Sequence, residues 1–462
     1  MEKKSFEERK AEFPQQFIAP LYVEDAKFLS RFGIVIPGKE SFPLAYVKHT
    51  PQDFVVEEIS PEGLVYTIEY KDFLQNIREL PESAPTFYAT LVKCSLTTFE
   101  AIRVLAEQLG CSVENVQYAG IKDLRAVTAQ RISIRGVTRD QIARVVHPQF
   151  FLKDIEAGKG VLTQGELTGN RFTILVRTEE SVHTEFHTQN IVKNLISARD
   201  NGFYNFFYLQ RFGTPRLINY KWGKDILLGN YEAVIKSLLT EASDTELPYF
   251  KGVRSKLGLC YGNWIEMKRV IDDSVPDSFG YETLVLTHLI ENPNDFLGAL
   301  KIIEQQSIFW VHAYMSKLFN ACISDLLVSN KAVPAHLPLP LSHEFQDLLL
   351  YKKFFEKEGM YPPPWKNLRP FPKIRTAHRE VFVKPKVTIH MADVCPEGIR
   401  FSFSLDKGQY ATTFLSHVFN LVSGVDPETE NRFILNHVQS LSQKTYEYFK
   451  DSLEGTAAVV EE

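Results

Sequence analysis

The chain has 462 residues, more than the roughly 250–300 at which a single hydrophobic core stops growing, so two or three domains are expected. Hydrophobic residues make up 44% and aromatic residues 12%, which excludes a disordered chain, a collagen and a coiled coil. The net charge of −5 by itself argues against a nucleic-acid partner.

The start of the chain and the cysteines indicate a cytoplasmic protein. The opening MEKKSFEERK is charged, and no stretch reaches the ~18 apolar residues of a membrane span. The five cysteines are an odd number, lie far apart and form no C-x-x-C pair. Neither a disulfide framework nor a zinc site is indicated, and we expect a reducing cytoplasm and no membrane partner.

Charge is distributed unevenly along the chain. Residues 426–462 contain three basic and eight acidic residues, so this tail accounts for the whole negative excess. Residues 361–386, which we call the basic stripe, contain seven basic residues and one acidic residue. The stripe also carries four aromatic side chains, Tyr361, Trp365, Phe371 and Phe382. Cations interleaved with planar groups are typical of RNA-binding surfaces, although a solvated basic face explains them equally well.

The first third of the chain predicts alternating strands and helices. FYATLVKC is rich in β-branched and aromatic residues and predicts a strand. In TTFEAIRVLAEQLG, Thr97-x-x-Glu100 matches a capping box and Gly110 ends the helix. The spacing places five residues on the apolar face of this helix: Phe99, Ile102, Leu105, Ala106 and Leu109. QYAG and AQRISIRG predict short strands on either side of the turn IKDLRA, and RFTILVR predicts another strand.

The middle of the chain predicts helices, and the end returns to strands. In QSIFWVHAYMSKLFNACISDLL an apolar stripe follows helical spacing through Ile308, Val311, Met315, Phe319, Cys322 and Leu326. Proline-dense stretches end this region, and VFVKPKVTIH and IRFSFSLDKGQYAT alternate as strands do. We therefore expect an α/β sheet domain formed by residues 1–200 and 376–462, interrupted by an inserted domain of residues 201–375.

One apparent nucleotide-binding motif fails on its chemistry. Gly33-Ile-Val-Ile-Pro-Gly38-Lys39-Glu40 matches seven of the eight P-loop positions. The last position should offer a hydroxyl group to Mg²⁺ but offers the charge of Glu40, and the residues that follow do not predict a helix. We therefore expect no nucleotide cofactor.

The turn between the QYAG and AQRISIRG strands carries the strongest chemical signal. It places Asp123 between Lys122 and Arg125, after the flexible backbone of Gly120. Neighbouring cations keep a carboxylate ionised, as a nucleophile requires. The same arrangement also occurs in ordinary solvated turns.

Six segments follow one another along the chain: KHTPQDFVVE from Lys48, G-x-K-D-x-x-A-x-T-x-Q from Gly120, GNRFTILVR from Gly169, NFFYLQRFG from Asn205, HAYMSKLFN from His312 and GQYAT from Gly408. In this order they resemble motifs of the tRNA pseudouridine synthase D (TruD) family. Together they cover most of the chain. The departures are Tyr208 for glycine, Met315 for glutamine, Phe319 for tryptophan and Ser416-His417 for Arg-Glu.

The resemblance implies a fold, an activity and a set of site residues. It implies an α/β (α+β) catalytic domain with a mixed, mostly antiparallel sheet, interrupted by an inserted α/β TRUD domain. The implied reaction converts uridine 13 of tRNA to pseudouridine, with base flipping and Asp123 as nucleophile, in a monomer that uses no metal and no cofactor. The implied substrate-binding residues are Lys48, Lys122, Asn170, Phe172, Gln210 and Arg211.

Several alternatives stay open at this point. Asp123 could attack either C1′ of the ribose or C6 of the uracil. Phe172 is a stacking platform for the flipped base in one interpretation and a core residue of an alternating strand in the other. His312 lies on the polar flank of its predicted helix, where a hydrogen-bonded structural histidine is the favoured interpretation. A catalytically silent RNA-binding module of the same fold is the alternative function, and it would not require Asp123.

Overall fold

The computed structural model describes residues 6–72, 74, 77–178, 185–275, 278–395, 397–424 and 440–454. Its helices are α1 (Phe6–Glu12), α2 (Ala26–Ser30), α3 (Thr98–Leu109), α4 (Arg139–Ala143), α5 (Glu185–Asn201), α6 (Asn219–Leu228), α7 (Tyr231–Thr240), α8 (Pro248–Leu259), α9 (Trp264–Ser274), α10 (Gly280–Glu291), α11 (Phe296–Ile302), α12 (Glu304–Val328), α13 (Phe345–Lys357), α14 (Ala411–Leu415) and α15 (Gln443–Glu454). Its strands are β1 (Tyr22–Val23), β2 (Leu44–Tyr46), β3 (Phe54–Ile59), β4 (Thr86–Cys94), β5 (Val116–Tyr118), β6 (Val127–Ile134), β7 (Phe150–Gly158), β8 (Gly169–Arg177), β9 (His336–Pro338), β10 (Glu380–Phe382), β11 (Thr388–Cys395), β12 (Gly398–Asp406) and β13 (Asn420–Ser423).

Eleven strands form one mixed sheet, whose main path runs β1-β13-β2-β8-β3-β6-β4-β7. Strand β12 pairs along the whole of β8, β11 pairs with β12, and β5 pairs with β6. Two contacts, β3 with β6 and β13 with β2, are parallel, and the other contacts are antiparallel. The predicted fold class, with its mostly antiparallel sheet, is confirmed. Strands from both ends of the chain meet in this sheet.

The two faces of the sheet are covered by different helices. Because side chains alternate along a strand, Val55, Val92 and Val127 share one face, where they pack with Phe449 and Leu453 of α15. On the opposite face, α3 packs on β4 and β6. The sequence also predicts a helical stretch at residues 433–449; residues 433–439 lie outside the described residues, and α15 packs against the sheet through Phe449 and Leu453.

Helix α12 is the centre of the helical part of the chain. It is 25 residues long, and Trp310, Tyr314 and Leu318 are buried in addition to most of the predicted apolar stripe, of which Ile308 and Leu326 are only partly buried. Helix α6 packs closely against it at Gly223, where an added Cβ would lie 1.9 Å from the Trp310 carbonyl oxygen. A helix buried on most sides belongs to a bundle core rather than to a surface.

The start of the chain contributes to the core of the helical part. Phe28, Leu29, Phe32, Ile34 and Ile36 pack in one hydrophobic cluster with residues of α6–α12. Among the described residues, no helix is long and apolar enough to cross a bilayer. The domain boundaries at residues 200 and 375 stay a prediction.

Two sequence expectations about aromatic side chains are corrected. Phe99, predicted on the buried face of α3, is 61% exposed, because it lies at the edge of the helix face that packs against the sheet. Phe371, predicted as part of the basic stripe surface, is fully buried in the helical core.

Only half of the predicted capping box forms within the described structure. The Thr97 hydroxyl accepts from the Glu100 amide, whereas the Glu100 carboxylate pairs with Arg103.

Candidate active site

Asp123 lies in the turn of residues 119–126, which connects β5 to β6 and which we call the Asp123 turn. Three hydrogen bonds from the surrounding elements hold this turn. The Lys122 amide donates to the Thr98 hydroxyl at 3.0 Å, and Gln130 Nε2 donates to the Gly120 carbonyl oxygen at 2.9 Å. Lys93 Nζ donates to the carbonyl oxygen of Asp123 at 2.8 Å. The sheet and α3 thus fix the backbone that carries the carboxylate.

Lys48 is the direct partner of the Asp123 carboxylate. Its Nζ lies 2.5 Å from Asp123 Oδ1 and 4.5 Å from the centroid of the Phe54 ring. The Lys48 backbone has a φ of 57°, a left-handed conformation that costs a non-glycine residue about 1–3 kcal/mol. Strain of this kind is concentrated at functional sites. The structure therefore brings together two of the predicted site residues that are 75 positions apart in sequence.

The pKa of Asp123 results from opposing effects. Burial raises the pKa of this carboxyl group and is the largest single effect. The charge and hydrogen bond of Lys48 and the charge of Lys93 lower the pKa and together prevail, so it lies below its usual value. Asp123 is therefore a carboxylate at neutral pH. Its side chain is 39% exposed, so a substrate can reach it.

Lys93 of β4 lies beneath the Asp123 turn and was not among the predicted site residues. Its side chain is fully buried. Burial lowers the pKa of Lys93 to about 7, while the charge of Asp123 raises it. The signal for Lys93 in the sequence is a lysine within the otherwise apolar strand FYATLVKC.

The two cations beside Asp123 in sequence have other partners in space. Lys122 Nζ lies 2.7 Å from the Glu58 carboxylate, and both side chains are buried. Arg125 donates to the carbonyl oxygen of His49 at 3.3 Å. The expectation that these two cations keep Asp123 ionised is corrected. Side chains of a turn point in different directions, and Lys48 and Lys93 supply the charge instead. Burial against Glu58 is also at odds with a direct substrate contact of Lys122.

Asn170 and Phe172 lie on β8, on the same face of the sheet. In the pairing register Asn170 is opposite Glu58, whose carboxylate binds Lys122 of the Asp123 turn. Asn170 Oδ1 is buried and has no hydrogen-bond partner among the described residues. Among the described residues, no hydrogen bond joins the Asn170 side chain to Asp123 or to the Asp123 turn, so the role of Asn170 in substrate binding stays a prediction.

Phe172 is mostly enclosed by other aromatic rings. It is 6% exposed and stacks on Phe403 at 5.4 Å between ring centroids, with Phe54 edge-on at 6.1 Å. Phe172 is thus a core residue with a small accessible edge. Both interpretations of this residue remain compatible with its position.

Gln210 and Arg211 lie in the short helical turn Leu209–Phe212 of the helical part. Gln210 Nε2 donates to the Thr412 hydroxyl at 3.1 Å, which links this turn to the end of the chain. The Arg211 guanidinium is held between the rings of Phe207 and Phe309, at 5.2 and 5.4 Å from their centroids. Within the described structure, no hydrogen bond or ion pair joins either residue to Asp123.

His312 of α12 lies near Arg211. Burial lowers the pKa of His312, and the charges of Arg211 and Arg379 lower it further. The imidazole is therefore neutral at neutral pH. The ring is half-buried, and none of the described residues forms a hydrogen bond with it, so its structural role stays a prediction.

The lysine of the P-loop-like segment, Lys39, has a structural role. Lys39 is fully buried, and its Nζ donates to the carbonyl oxygens of Ser416 and Phe419 at 2.8 and 2.5 Å. Burial lowers the pKa of Lys39 to about 7. A lysine engaged in this way is not presented to a phosphate group.

One group of possible metal ligands occurs in the described part of the chain. Ligand atoms of Glu344, Asp347 and His378 lie within 4.8 Å of one another. These residues already form ion pairs, with His378 Nδ1 at 3.0 Å from Asp347. The group is outside the Asp123 turn and is accounted for by those ion pairs.

Comparison with known proteins shows the family of this chain. The family model of tRNA pseudouridine synthase D (TruD) matches residues 45–337, more than half of the chain. The chain belongs to the tRNA pseudouridine synthase D family. Family membership makes the protein an RNA-modifying isomerase, and the resemblance to this family is confirmed; five of the six motifs lie within the matched residues.

Archaeal relatives and a solved structure agree with this assignment. A protein of Methanopyrus kandleri named "Probable tRNA pseudouridine synthase D" is 28% identical over 346 residues, 70% of this chain and 83% of its own length. A Methanocaldococcus jannaschii protein named "Probable tRNA pseudouridine synthase D 1" is 28% identical over 390 residues, 80% and 94% of the two chains. A crystal structure assigned to tRNA pseudouridine synthase D from Methanosarcina mazei superposes with a TM-score of 0.64 at 22% identity, over 84% of this chain and 97% of that chain.

The departure from the TruD motif at Ser416-His417 gives a pH-dependent contact. His417 Nδ1 donates to the Thr413 carbonyl oxygen at 2.8 Å, and Nε2 accepts from the Tyr204 amide at 3.2 Å. Protonation of Nε2 would place a second donor against that amide. Burial, together with the charge of Lys39, lowers the pKa of His417 to about 4, against the raising effect of the Thr413 hydrogen bond.

We expect stability to fall as the pH falls from about 6.5 to about 4. A histidine with a depressed pKa binds fewer protons in the folded than in the unfolded state, so its contribution is present above pH ~6.5 and is lost below. The full contribution is roughly 3 kcal/mol. The check is the urea midpoint as a function of pH for the parent and for His417→Gln. The variant should be flatter between pH 4 and 6.5, and equal slopes would contradict this account.

Proposed function

We propose that the protein converts uridine 13 of tRNA to pseudouridine, with Asp123 as the nucleophile. The observation that carries the proposal is the ionised, partly exposed Asp123 carboxylate, paired with Lys48 and held on a fixed turn. The family supplies the reaction and its tRNA substrate. The uridine position rests on the resemblance of the six sequence motifs.

The reaction is an isomerisation that a positioned carboxylate can serve. The bond between uracil N1 and ribose C1′ breaks, the uracil turns, and a bond between C5 and C1′ forms. The C5 proton leaves and N1 gains a proton, so neither oxidation nor reduction takes place. Asp123 forms a transient bond to C1′ or to C6, and both routes use the same ionised group.

Asn170 supplies a candidate contact to the base. Its Oδ1 atom is buried and accepts no hydrogen bond from the described residues. Uracil offers a donor at N3–H, whereas cytosine has an acceptor at N3. Uracil can donate to this buried acceptor, whereas cytosine would leave it unsatisfied. An unsatisfied buried acceptor costs about 1–3 kcal/mol, and binding of uracil is favoured by this amount. The accessible edge of Phe172, on the same strand, then borders the flipped base.

Arg211 supplies positive charge for an RNA substrate, whereas Lys48 orients the Asp123 carboxylate through its ion pair. Arg211 is braced between two rings, so its guanidinium loses little freedom when it binds a phosphate group. The Gln210 contact with Thr412 of α14 joins the helical part to the end of the chain, and we place the RNA stem between the helical part and the sheet. The domain boundaries, the monomeric state and the cytoplasmic location stay predictions.

Chemical mapping of pseudouridine in a tRNA transcript tests the proposal. After incubation with the purified protein, we expect one new pseudouridine, at position 13. A product at a different position overturns the choice of uridine but not the activity. Binding of the transcript without any product supports the silent RNA-binding alternative.

The basic stripe should determine how RNA binding depends on salt. Lys366, Arg369 and Arg375 are exposed, whereas Lys373 is paired with Glu304 at 2.5 Å. Plots of log affinity against log salt have a negative slope, and each lost phosphate contact lowers the magnitude of this slope by about 0.7–0.9. Changing these three cations, which have no ion pair among the described residues, to glutamine should therefore flatten the slope by up to about 2.5, without moving the modified position. Nitrocellulose filter binding at several salt concentrations measures this slope.

Lys373→Gln is the matched control for the stripe. Because Glu304 already neutralises this lysine, the single substitution should change the slope by less than about 0.5. An unchanged slope in the triple variant would show that the stripe is a solvated surface and that RNA binds elsewhere.

A further inference from the structure

The Asp123 turn presents apolar side chains to solvent beside its carboxylate. Ile121 is 61% exposed and Leu124 is also exposed, one on each side of Lys122 and Asp123. Phe99, at the start of α3, is exposed next to the turn, which is tied to Thr98 by the Lys122 amide. Single exposed apolar residues are common, but three around one ionised carboxylate form an apolar rim.

We propose that Ile121 is the wedge that enters the RNA stack where the target uridine leaves it. This inference rests on the proposed function, because it concerns how the uridine reaches Asp123. Removing a base from a helical stack costs a few kcal/mol, and proteins that distort nucleic acids insert apolar side chains to offset this cost. Ile121 is two residues from Asp123, so the gap left by the uridine and the site that receives it are adjacent.

The direction of the side chains in the turn supports this role. Lys122, between Ile121 and Asp123, is turned inward and buried against Glu58. Its two neighbours are accordingly directed to solvent, where an RNA substrate approaches. Hydrophobic contacts of the core do not account for Ile121, since most of its surface is in water.

The stiffness of the turn makes insertion favourable. The backbone is held at Gly120, Lys122 and Asp123 by three separate hydrogen bonds. Isoleucine is β-branched and has few side-chain rotamers, so little conformational entropy is lost when the side chain enters a stack. A flexible loop with a long side chain would lose more conformational entropy on forming the same contact.

The test compares a stacked and an unstacked target. One tRNA transcript is intact, and the other has an abasic site next to the target uridine, so that stacking is already lost. Single-turnover rates at saturating RNA are measured for Ile121→Ser and for Ile121→Leu, which keeps an apolar wedge. We expect Ile121→Ser to slow the intact substrate at least about tenfold and the abasic substrate less than threefold, with Ile121→Leu near the parent.

Val146→Ser is the matched control, because Val146 is 76% exposed and lies outside the Asp123 turn. It should leave both rates unchanged. Equal slowing of both substrates by Ile121→Ser would indicate a general disturbance of the turn and would overturn the wedge, as would no slowing at all. A parent protein that converts neither substrate refutes the proposed function itself, and the wedge with it.

Discussion

Replacement of Asp123 with asparagine is expected to lower the rate of pseudouridine formation at least about a thousandfold, ~4 kcal/mol in the activation barrier. Asparagine keeps the size and shape of the side chain but is uncharged, and its amide oxygen is a far weaker nucleophile than a carboxylate oxygen. Single-turnover measurement of the product in a tRNA transcript gives this rate. RNA affinity should change little, because Asp123 contributes no positive charge.

Asp140→Asn is the matched control for Asp123→Asn. Asp140 is an exposed carboxylate in the first turn of α4, outside the Asp123 turn, and its substitution should leave turnover at the parental rate. Residual turnover of Asp123→Asn within tenfold of the parent, only ~1.4 kcal/mol, would remove Asp123 from the role of nucleophile.

Substitution of Arg177 with methionine is expected to have the largest effect on stability. Arg177 binds Asp53 through two hydrogen bonds of 2.8 Å, and each side chain is 1% exposed. Removing the arginine leaves a buried, unpaired carboxylate, which costs about 3–5 kcal/mol. Asp53 also accepts from the Thr50 amide, so the turn that follows Lys48 should loosen and turnover should fall as well. Thermal unfolding of the parent and the variant measures the loss.

The double variant Asp53→Leu/Arg177→Met separates burial of charge from packing. Because it leaves no unpaired charge, it should be more stable than Arg177→Met and regain a large part of the lost stability. A double variant less stable than the single one would show that the methionine mainly damages packing around β8.

Local sequence patterns predicted the strands and the Asp123 turn, because alternation and capping depend on near neighbours. Phe99 and Phe371 were misplaced for the opposite reason. Phe99 fits the period of α3, but which arc of a helix is covered depends on the sheet it meets. Phe371 lies among basic residues in sequence, yet its side chain turns into the helical core.

The charges around Asp123 show where sequence reasoning ends. Lys122 is adjacent to Asp123 in sequence but is bound to Glu58, since neighbours in a turn diverge. Lys93 comes from a strand 30 positions away and lies beneath the carboxylate only because β4 pairs with β6. Family motifs singled out Lys48, whereas Lys93 belongs to none of the six. Partners brought together by a sheet are read from its register, not from the distance along the chain.

The most direct test of the central claim is tritium release from a tRNA transcript labelled with [5-³H]uridine. Formation of pseudouridine replaces the C5 hydrogen by the bond to C1′, so each conversion frees one tritium to water. We predict that the parent protein releases the tritium of one uridine per tRNA and that release then stops. Asp123→Asn should release no tritium above background. No release by the parent, or undiminished release by Asp123→Asn, would contradict the account.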